Sequence, residues 1–223
     1  FMMSIGKNIR LIALSAAIGA GLMVQGTTAK AAGTETLLVA GGCFWCVEAD
    51  FEKVKGVREV VSGFAGGSVA NPTYKQVVAG GTGHYEVAEI QFDPAVISEK
   101  QLLDMFFRSV DPTDAGGQFC DRGDSYRTAI FADGPDQKAA AEKAKADAQA
   151  ALGQNVVTPI LGNATFYPAD GYHQDYYKSD ERLAFSSVGL GVKKSVAYKR
   201  YRDNCGRDQR VQQLWGSAAP FIN

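Results

Sequence analysis

The sequence predicts an α+β fold: a two-layer sandwich in which helices cover a mixed, largely antiparallel sheet with a ferredoxin-like core, followed by a long coiled C-terminal segment. Two observations predict it. Strand-like and helix-like segments are intermixed along the chain. Several of the strand-like segments alternate between apolar and polar residues, as antiparallel strands with one buried face do.

The first half of the predicted sheet is built from three segments. Residues 36–40 form a short apolar run that predicts a buried strand, and two glycines then allow a sharp turn into a helix that starts at Cys43. Residues 57–64 alternate as a half-buried strand does. After a glycine-rich loop, a short helix is expected over 73–79, and residues 84–92 predict a strong strand.

The second half begins with a capping box, in which Ser98 and Gln101 open a helix with one apolar face. A long polar loop follows, and the chain returns as a strand over 126–132. An alanine-rich helix is expected over 135–153, between a proline and a glycine. A last strand is predicted over 156–161, and the remainder is aromatic and polar with shorter pieces of helix.

The N-terminal residues predict an exported protein, and the net charge bears on its partners. The net charge of -1 offers no attraction to nucleic acid or to an anionic membrane surface. A basic start precedes an uncharged apolar run over 11–24, and residues 29–31 form an Ala-Lys-Ala cleavage site. We therefore expect a secretory signal peptide over 1–31 and one domain over 32–223, periplasmic or secreted, without stable membrane insertion after cleavage. A retained N-terminal anchor is the alternative.

Cys43 is the first candidate for chemistry. A thiol at the start of a helix faces unpaired N–H groups and the positive end of the helix dipole, which favours the thiolate and predicts a lowered pKa. Phe44 and Trp45 follow directly and place two aromatic rings beside the sulfur. The strand end therefore predicts a nucleophile in an apolar pocket.

Glu86 is the second candidate, because the alternation of its strand places it on the more apolar face. A carboxyl group that loses its hydration keeps its proton to higher pH and can serve as a general acid. A solvent-exposed glutamate at the strand end is the alternative. Asp121 and Tyr126 lie near the end of a loop, where turn capping would explain the aspartate and packing the tyrosine equally well. Tyr74 lies on a short helix, where packing would explain it equally well.

The cysteines Cys43, Cys46, Cys120 and Cys205 leave several interpretations open. Cys43 and Cys46 form a C-x-x-C pair after a strand, which could belong to an exported thiol–disulfide oxidoreductase. The four could also form two disulfides in an exported binding domain, or part of a zinc site, although no second C-x-x-C or H-x-x-H completes one.

Short motifs follow one another between residues 36 and 185. They are Gly42-Cys43-Phe44-Trp45, Pro72-Thr73-Tyr74, Gly83-His84-Tyr85-Glu86, Gln118-Phe119-Cys120-Asp121-Arg122-Gly123, Ser125-Tyr126-Arg127 and Tyr172-His173-Gln174. In this order they resemble the A-type peptide-methionine sulfoxide reductases. The tail Asn204-Cys205-Gly206-Arg207-Asp208 is similar to that of some members.

The resemblance implies thiol-dependent reduction of the S epimer of methionine sulfoxide, free or in proteins, by a single reductase domain over 32–223. Cys43 would attack the sulfoxide sulfur and become a sulfenic acid. Phe44 and Trp45 would hold the methyl group and Glu86 would protonate the oxygen. By the same resemblance, the remaining groups around that oxygen are Tyr74 and Tyr126 as hydroxyl donors and Asp121 as a polar helper.

A resolving thiol would then form a disulfide with Cys43. Cys205 is slightly favoured over Cys46, whereas the motif position of Cys120 suggests a structural thiol. No cofactor or metal is implied. A thioredoxin-like dithiol protein, periplasmic if the chain is exported, would regenerate the enzyme, which we expect to be a monomer.

Overall fold

The computed structural model describes residues 33–186 and 189–222. Residues 1–32, which include the predicted signal peptide over 1–31, lie outside the described residues. In the described ranges, no helix has both the length and the apolar character needed to cross a bilayer.

The described residues form ten strands, six α-helices and three short 3₁₀ turns. The strands are β1 Glu35–Gly41, β2 Val57–Ala65, β3 Tyr85–Phe92, β4 Gly117–Gln118, β5 Asp121–Arg122, β6 Thr128–Ala132, β7 Ile160–Gly162, β8 Tyr167–Pro168, β9 Arg182–Leu183 and β10 Val192–Lys193. The helices are α1 Phe44–Phe51, α2 Tyr74–Val78, α3 Glu99–Phe107, α4 Gly134–Leu152, α5 Lys194–Asn204 and α6 Arg207–Trp215.

The main sheet has the strand order β7-β6-β1-β3-β2-β8. Its pairs are antiparallel except β6 with β7, which run parallel. Within it, β1-α1-β2 and β3-α3-β6 supply the four central strands in the order β6-β1-β3-β2, the arrangement of a ferredoxin-like core. The predicted α+β class and its mixed, largely antiparallel sheet are confirmed.

The main core lies between the sheet and the helices α1, α3 and α4. Fully buried side chains from both layers meet there, among them Leu37, Ile90, Phe92 and Phe106. The α3 capping box predicted from Ser98 and Gln101 is present. Removal of these apolar side chains from water stabilises the platform on which β1 ends and α1 begins.

Two strand predictions were wrong in their limits. Tyr126 does not begin a strand but ends a 3₁₀ turn over Asp124–Tyr126, because the backbone N–H of Tyr126 bonds to the Gly123 carbonyl. The strand predicted over 156–161 pairs only at Ile160–Gly162. Before it, the Val157 N–H bonds to a loop carbonyl, and the proline at 159 has no N–H to donate to a ladder.

The C-terminal segment is less coiled than predicted, because it ends in the helices α5 and α6. Their sequences are strongly polar, and a buried ion pair and buried hydrogen bonds hold them in place. Arg202 on α5 pairs with the buried Asp50 at 2.7 Å. Arg207 on α6 donates to the backbone carbonyls of Gly41 and Ser109. The sequence predicted only shorter pieces of helix here and did not locate α5 and α6, because apolar periodicity does not report polar contacts with distant residues.

Candidate active site

Cys43 lies at the junction where β1 ends and α1 begins. Gly42 makes the turn with a φ of +81°, and a Cβ placed on it would lie 2.6 Å from the Cβ of Gln118. A side chain is therefore excluded there by both backbone conformation and space. Cys43 is the N-cap residue of α1, and only 6% of its surface is exposed.

A cavity of about 60 Å³ opens at this junction. It contains all seven side chains to which the resemblance assigns a role in catalysis or substrate binding, and one that the sequence analysis missed. The lining residues are Cys43, Phe44, Trp45, Tyr74, Glu86, Asp121, Tyr126 and Tyr201. They come from α1, α2, β3, β5, α5 and a 3₁₀ turn, so the fold brings together residues up to 158 positions apart (Tyr201 against Cys43).

Glu86 lies on β3 opposite Phe64 of β2 and is 1% exposed. The backbone N–H of Phe44 donates to its Oε2 at 3.1 Å, while Oε1 has no hydrogen-bond partner among the described residues. Burial, reinforced by the negative charge of Asp121, raises the pKa of Glu86 to about 8. The predicted buried carboxylic acid is therefore present, and it holds its proton at neutral pH.

The prediction of a lowered Cys43 pKa was wrong. Burial raises the pKa of the Cys43 thiol well above its ordinary value, and its hydrogen bond to Cys46 and the charges of Glu86 and Asp121 act in the same direction. The N–H of Phe44 at the start of α1 bonds to Glu86 rather than to the sulfur. Helix position alone therefore does not create a thiolate here.

Cys46 lies one helical turn further along α1 and is 2% exposed. Its pKa is lowered to about 7, first by the hydrogen bond from the Cys43 thiol and then by the positive charges of Arg207 and Arg202, against the effect of burial. The two thiols titrate as an interacting pair, in which the positive charges of Arg207 and Arg202 favour loss of a proton on the Cys46 side.

Tyr74 and Tyr126 supply hydroxyl groups to the cavity. Burial raises the pKa of Tyr74 to about 12 and that of Tyr126 further, and the negative charge of Glu86 adds to both shifts. Both phenols therefore keep their protons at neutral pH and can donate hydrogen bonds.

An aromatic cluster forms the apolar side of the cavity. Trp45 stacks on Tyr176 with ring centroids 3.8 Å apart and on His173 at 5.7 Å. His173 also lies 5.4 Å from Phe44 and 4.3 Å from Tyr74. His173 belongs to one of the motifs of the family resemblance, but no role was predicted for it; its ring packs against the rings that line the cavity.

Asp121 and Tyr201 meet at the cavity wall, where the Tyr201 hydroxyl donates to Oδ2 of Asp121. Burial raises the pKa of Asp121, and this hydrogen bond and the charge of Arg207 oppose the rise. Tyr201 was not among the site residues predicted from the sequence. Its only available signal was its position one helical turn before Cys205.

The structure contains a disulfide between Cys120 and Cys205, whose Cα atoms are 4.9 Å apart. Cys43 and Cys46 are free and buried. The interpretation in which all four cysteines form two structural disulfides is therefore wrong, whereas the suggestion that Cys120 is structural agrees with this pairing. Cys205 lies at the end of α5, bonded to Cys120, and is not on a free tail.

Comparison with known proteins identifies relatives of the whole domain. Residues 35–214 match the family described as peptide methionine sulfoxide reductase. The chain is 46% identical over 191 residues to peptide methionine sulfoxide reductase MsrA 2 of Rhizobium meliloti, covering 86% of this chain and 88% of that protein. It is 45% identical to the protein of the same name from Caulobacter vibrioides, over 93% of this chain and 98% of that protein. The solved structure of methionine sulfoxide reductase A of Corynebacterium diphtheriae is similar, with a TM-score of 0.61 and 32% identity over 72% of this chain and 83% of that one.

Proposed function

The chain belongs to the peptide methionine sulfoxide reductase family, and we propose that it reduces the S epimer of methionine sulfoxide, free or in proteins, with Cys43 as nucleophile. One observation carries the proposal. A small cavity holds a thiol, a carboxyl group that is protonated at neutral pH, and two phenol donors. Those are the groups needed to attack a sulfoxide sulfur and to protonate its oxygen.

In the first step the Cys43 proton passes to its hydrogen-bonded neighbour Cys46, and the Cys43 sulfur attacks the sulfoxide sulfur. This attack forms a bond between the two sulfur atoms. Glu86 gives its proton to the oxygen, the S–O bond breaks, and the oxygen passes as hydroxide to the Cys43 sulfur. The bond between the two sulfurs then breaks, and the substrate sulfur leaves with the electron pair. The products are a thioether and a sulfenic acid on Cys43, so that two electrons pass from Cys43 to the substrate sulfur. Hydrogen bonds from Tyr74 and Tyr126 stabilise the charge that develops on the oxygen.

The shape of the cavity supports selection of one epimer. The aromatic side, formed by Phe44 and Trp45, accepts the methyl group, and the polar side around Glu86 accepts the oxygen. A site that fixes the methyl group, the oxygen and the side from which the Cys43 sulfur attacks distinguishes the two epimers, and by the family resemblance the S epimer is the one accepted.

The contacts of the cysteines favour Cys46 as the resolving thiol, although the sequence slightly favoured Cys205. Cys46 is hydrogen-bonded to Cys43, whereas Cys205 is bonded to Cys120. The Cys46 thiol attacks the sulfenic sulfur of Cys43, a disulfide forms, and water leaves with the former sulfoxide oxygen. A thioredoxin-like dithiol then reduces the Cys43–Cys46 disulfide and becomes oxidised itself.

We place this cycle outside the cytoplasm, since the predicted signal segment precedes the domain. The donor we propose is accordingly a periplasmic thioredoxin-fold dithiol protein. Cell fractionation tests this placement, and recovery of the mature chain from the cytosol alone would contradict it.

The experiment that tests the activity offers a peptide with each methionine sulfoxide epimer, separately, to the protein with dithiothreitol. We expect turnover of the S epimer and none by the Cys43→Ser variant. Turnover of the R epimer, or activity that survives in Cys43→Ser, would overturn the proposal.

A further inference from the structure

We propose that Tyr201 is a positioning residue for sulfoxide reduction: its hydroxyl holds the Asp121 carboxylate at the cavity wall, and the Cys120–Cys205 disulfide fixes this pair. The inference rests on the function proposed above and adds to it a residue from the C-terminal helix α5.

Tyr201 contacts two parts of the cavity. Its side chain lines the cavity together with Cys43, and its hydroxyl donates to Oδ2 of Asp121. Its ring meets Trp45 edge to face, with centroids 6.3 Å apart and an interplanar angle of 88°. A single side chain therefore touches both the aromatic side and the acidic side of the site.

The disulfide ties the two ends of this contact together. Cys120 directly precedes Asp121, and Cys205 follows Tyr201 by one helical turn. Asp121 itself lies on β5, which pairs only with β4 in a hairpin of two-residue strands. So short a hairpin has little stability of its own. The Cys120–Cys205 disulfide, which joins residues 85 positions apart, fixes the distance between β5 and α5, which the hairpin alone does not.

The position of Asp121 matters because its charge acts on the proton donor. The negative charge of Asp121 contributes to the raised pKa of Glu86. Without the Tyr201 hydroxyl, the carboxylate is free to turn towards solvent, and its charge leaves the cavity. The ionisable groups that share this environment, from all the elements around it, are Cys43 and Cys46 of the α1 region, Tyr74 of α2, Glu86 of β3, Tyr126 of the 3₁₀ turn, Tyr201 of α5 and Arg207 of α6.

The test compares Tyr201→Phe with a matched control, Tyr177→Phe. Tyr177 also donates its hydroxyl to a carboxylate, that of Glu52, but it does not line the cavity. Both variants keep the ring and are compared with the unsubstituted protein by thermal melting. The reaction is one turnover of a peptide S-sulfoxide without added reductant, followed between about pH 6 and 10.

For Tyr201→Phe we expect the alkaline midpoint of the single-turnover rate to move to lower pH by about half a unit or more, so that the rate at pH 8.5 falls about threefold. Tyr177→Phe should match the unsubstituted protein at each pH. In an Asp121→Asn background, Tyr201→Phe should cause no further shift, because the two residues act as one unit. The Cys120→Ser/Cys205→Ser double variant should show the same direction of shift.

An unchanged pH profile in Tyr201→Phe would overturn the inference, as would a full additional shift in the Asp121→Asn background. Failure of the proposed function gives a different result, because the unsubstituted protein itself would then not reduce the S-sulfoxide. If the unsubstituted protein reduces the S-sulfoxide and Tyr201→Phe has the same pH profile, only the role of Tyr201 is contradicted and the proposed function stands.

Discussion

Replacing Glu86 by glutamine is expected to slow the reaction and stabilise the fold at the same time. The amide has nearly the shape of the acid and can still accept the Phe44 N–H, but it has no proton to transfer. With a pKa of about 8, Glu86 is protonated in about nine-tenths of molecules at pH 7 and about one-tenth at pH 9. Loss of a general acid predicts a single-turnover rate reduced about 10²- to 10⁴-fold at pH 7.

The stability gain follows from the same pKa. In the unfolded chain Glu86 has its ordinary pKa of 4.5 and is ionised at pH 7, so folding at pH 7 must bind a proton. That uptake costs about 3 kcal/mol, from about 2.5 pH units at 1.36 kcal/mol each. The cost is absent below pH 4.5, grows as pH rises, and becomes constant above pH 8. Glutamine does not incur it, so the variant should be about 3 kcal/mol more stable at pH 7 and equal to the unsubstituted protein at low pH.

Glu48→Gln is the matched control for this experiment. Glu48 is also buried, and burial raises its pKa to about 7, but it bonds to the Ser62 hydroxyl and the Asp175 N–H and does not line the cavity. Single-turnover rates and urea unfolding at several pH values are measured for both variants. We expect a near-normal rate for Glu48→Gln. A normal rate for Glu86→Gln at pH 7, or no pH-dependent stability difference in it, would refute the reasoning.

Other substitutions test the remaining parts of the site and fold. With a thioredoxin-like donor as the reductant, the Cys46→Ser variant should release one methionine per protein molecule, more slowly than the unsubstituted protein, and then stop. Product stoichiometry measures this, and continued turnover would show that another cysteine resolves the sulfenic acid. Trp45→Ala should raise the KM for a sulfoxide peptide about tenfold, because the proposed function assigns its ring, held by stacking on Tyr176, to the methyl group; an unchanged KM contradicts this. Arg202→Met should destabilise the protein by about 3–5 kcal/mol in urea unfolding, since it leaves the Asp50 carboxylate buried and unpaired; a variant as stable as the parent would show that this ion pair is not needed.

Sequence predicted the parts of the site that depend on local pattern. The strand followed by two glycines placed Cys43, and alternation along β3 placed Glu86 in the interior. Both predictions need only the backbone periodicity of one element. The capping box at Ser98 succeeded for the same reason, since its partner lies three residues away.

What sequence did not predict depends on contacts between distant residues. The Cys120–Cys205 bond and the Tyr201–Asp121 hydrogen bond join segments about 80 positions apart, and no local pattern encodes them. The pKa of Cys43 was predicted in the wrong direction because desolvation depends on the elements that cover the sulfur. The local sequence shows that Cys43 starts a helix but not which distant elements bury its sulfur.

The small volume of the cavity restricts which oxidised residues can be repaired. Pockets that enclose whole small molecules span about 300–1,000 Å³, whereas about 60 Å³ admits only the tip of one side chain. A damaged methionine must therefore protrude fully from its own protein. If it is packed inside a client, that region has to open first. For a reductase that acts on protein-bound methionine sulfoxide, we therefore expect the speed of repair at such positions to follow the client's local unfolding, so that loosely folded proteins are restored before rigid ones.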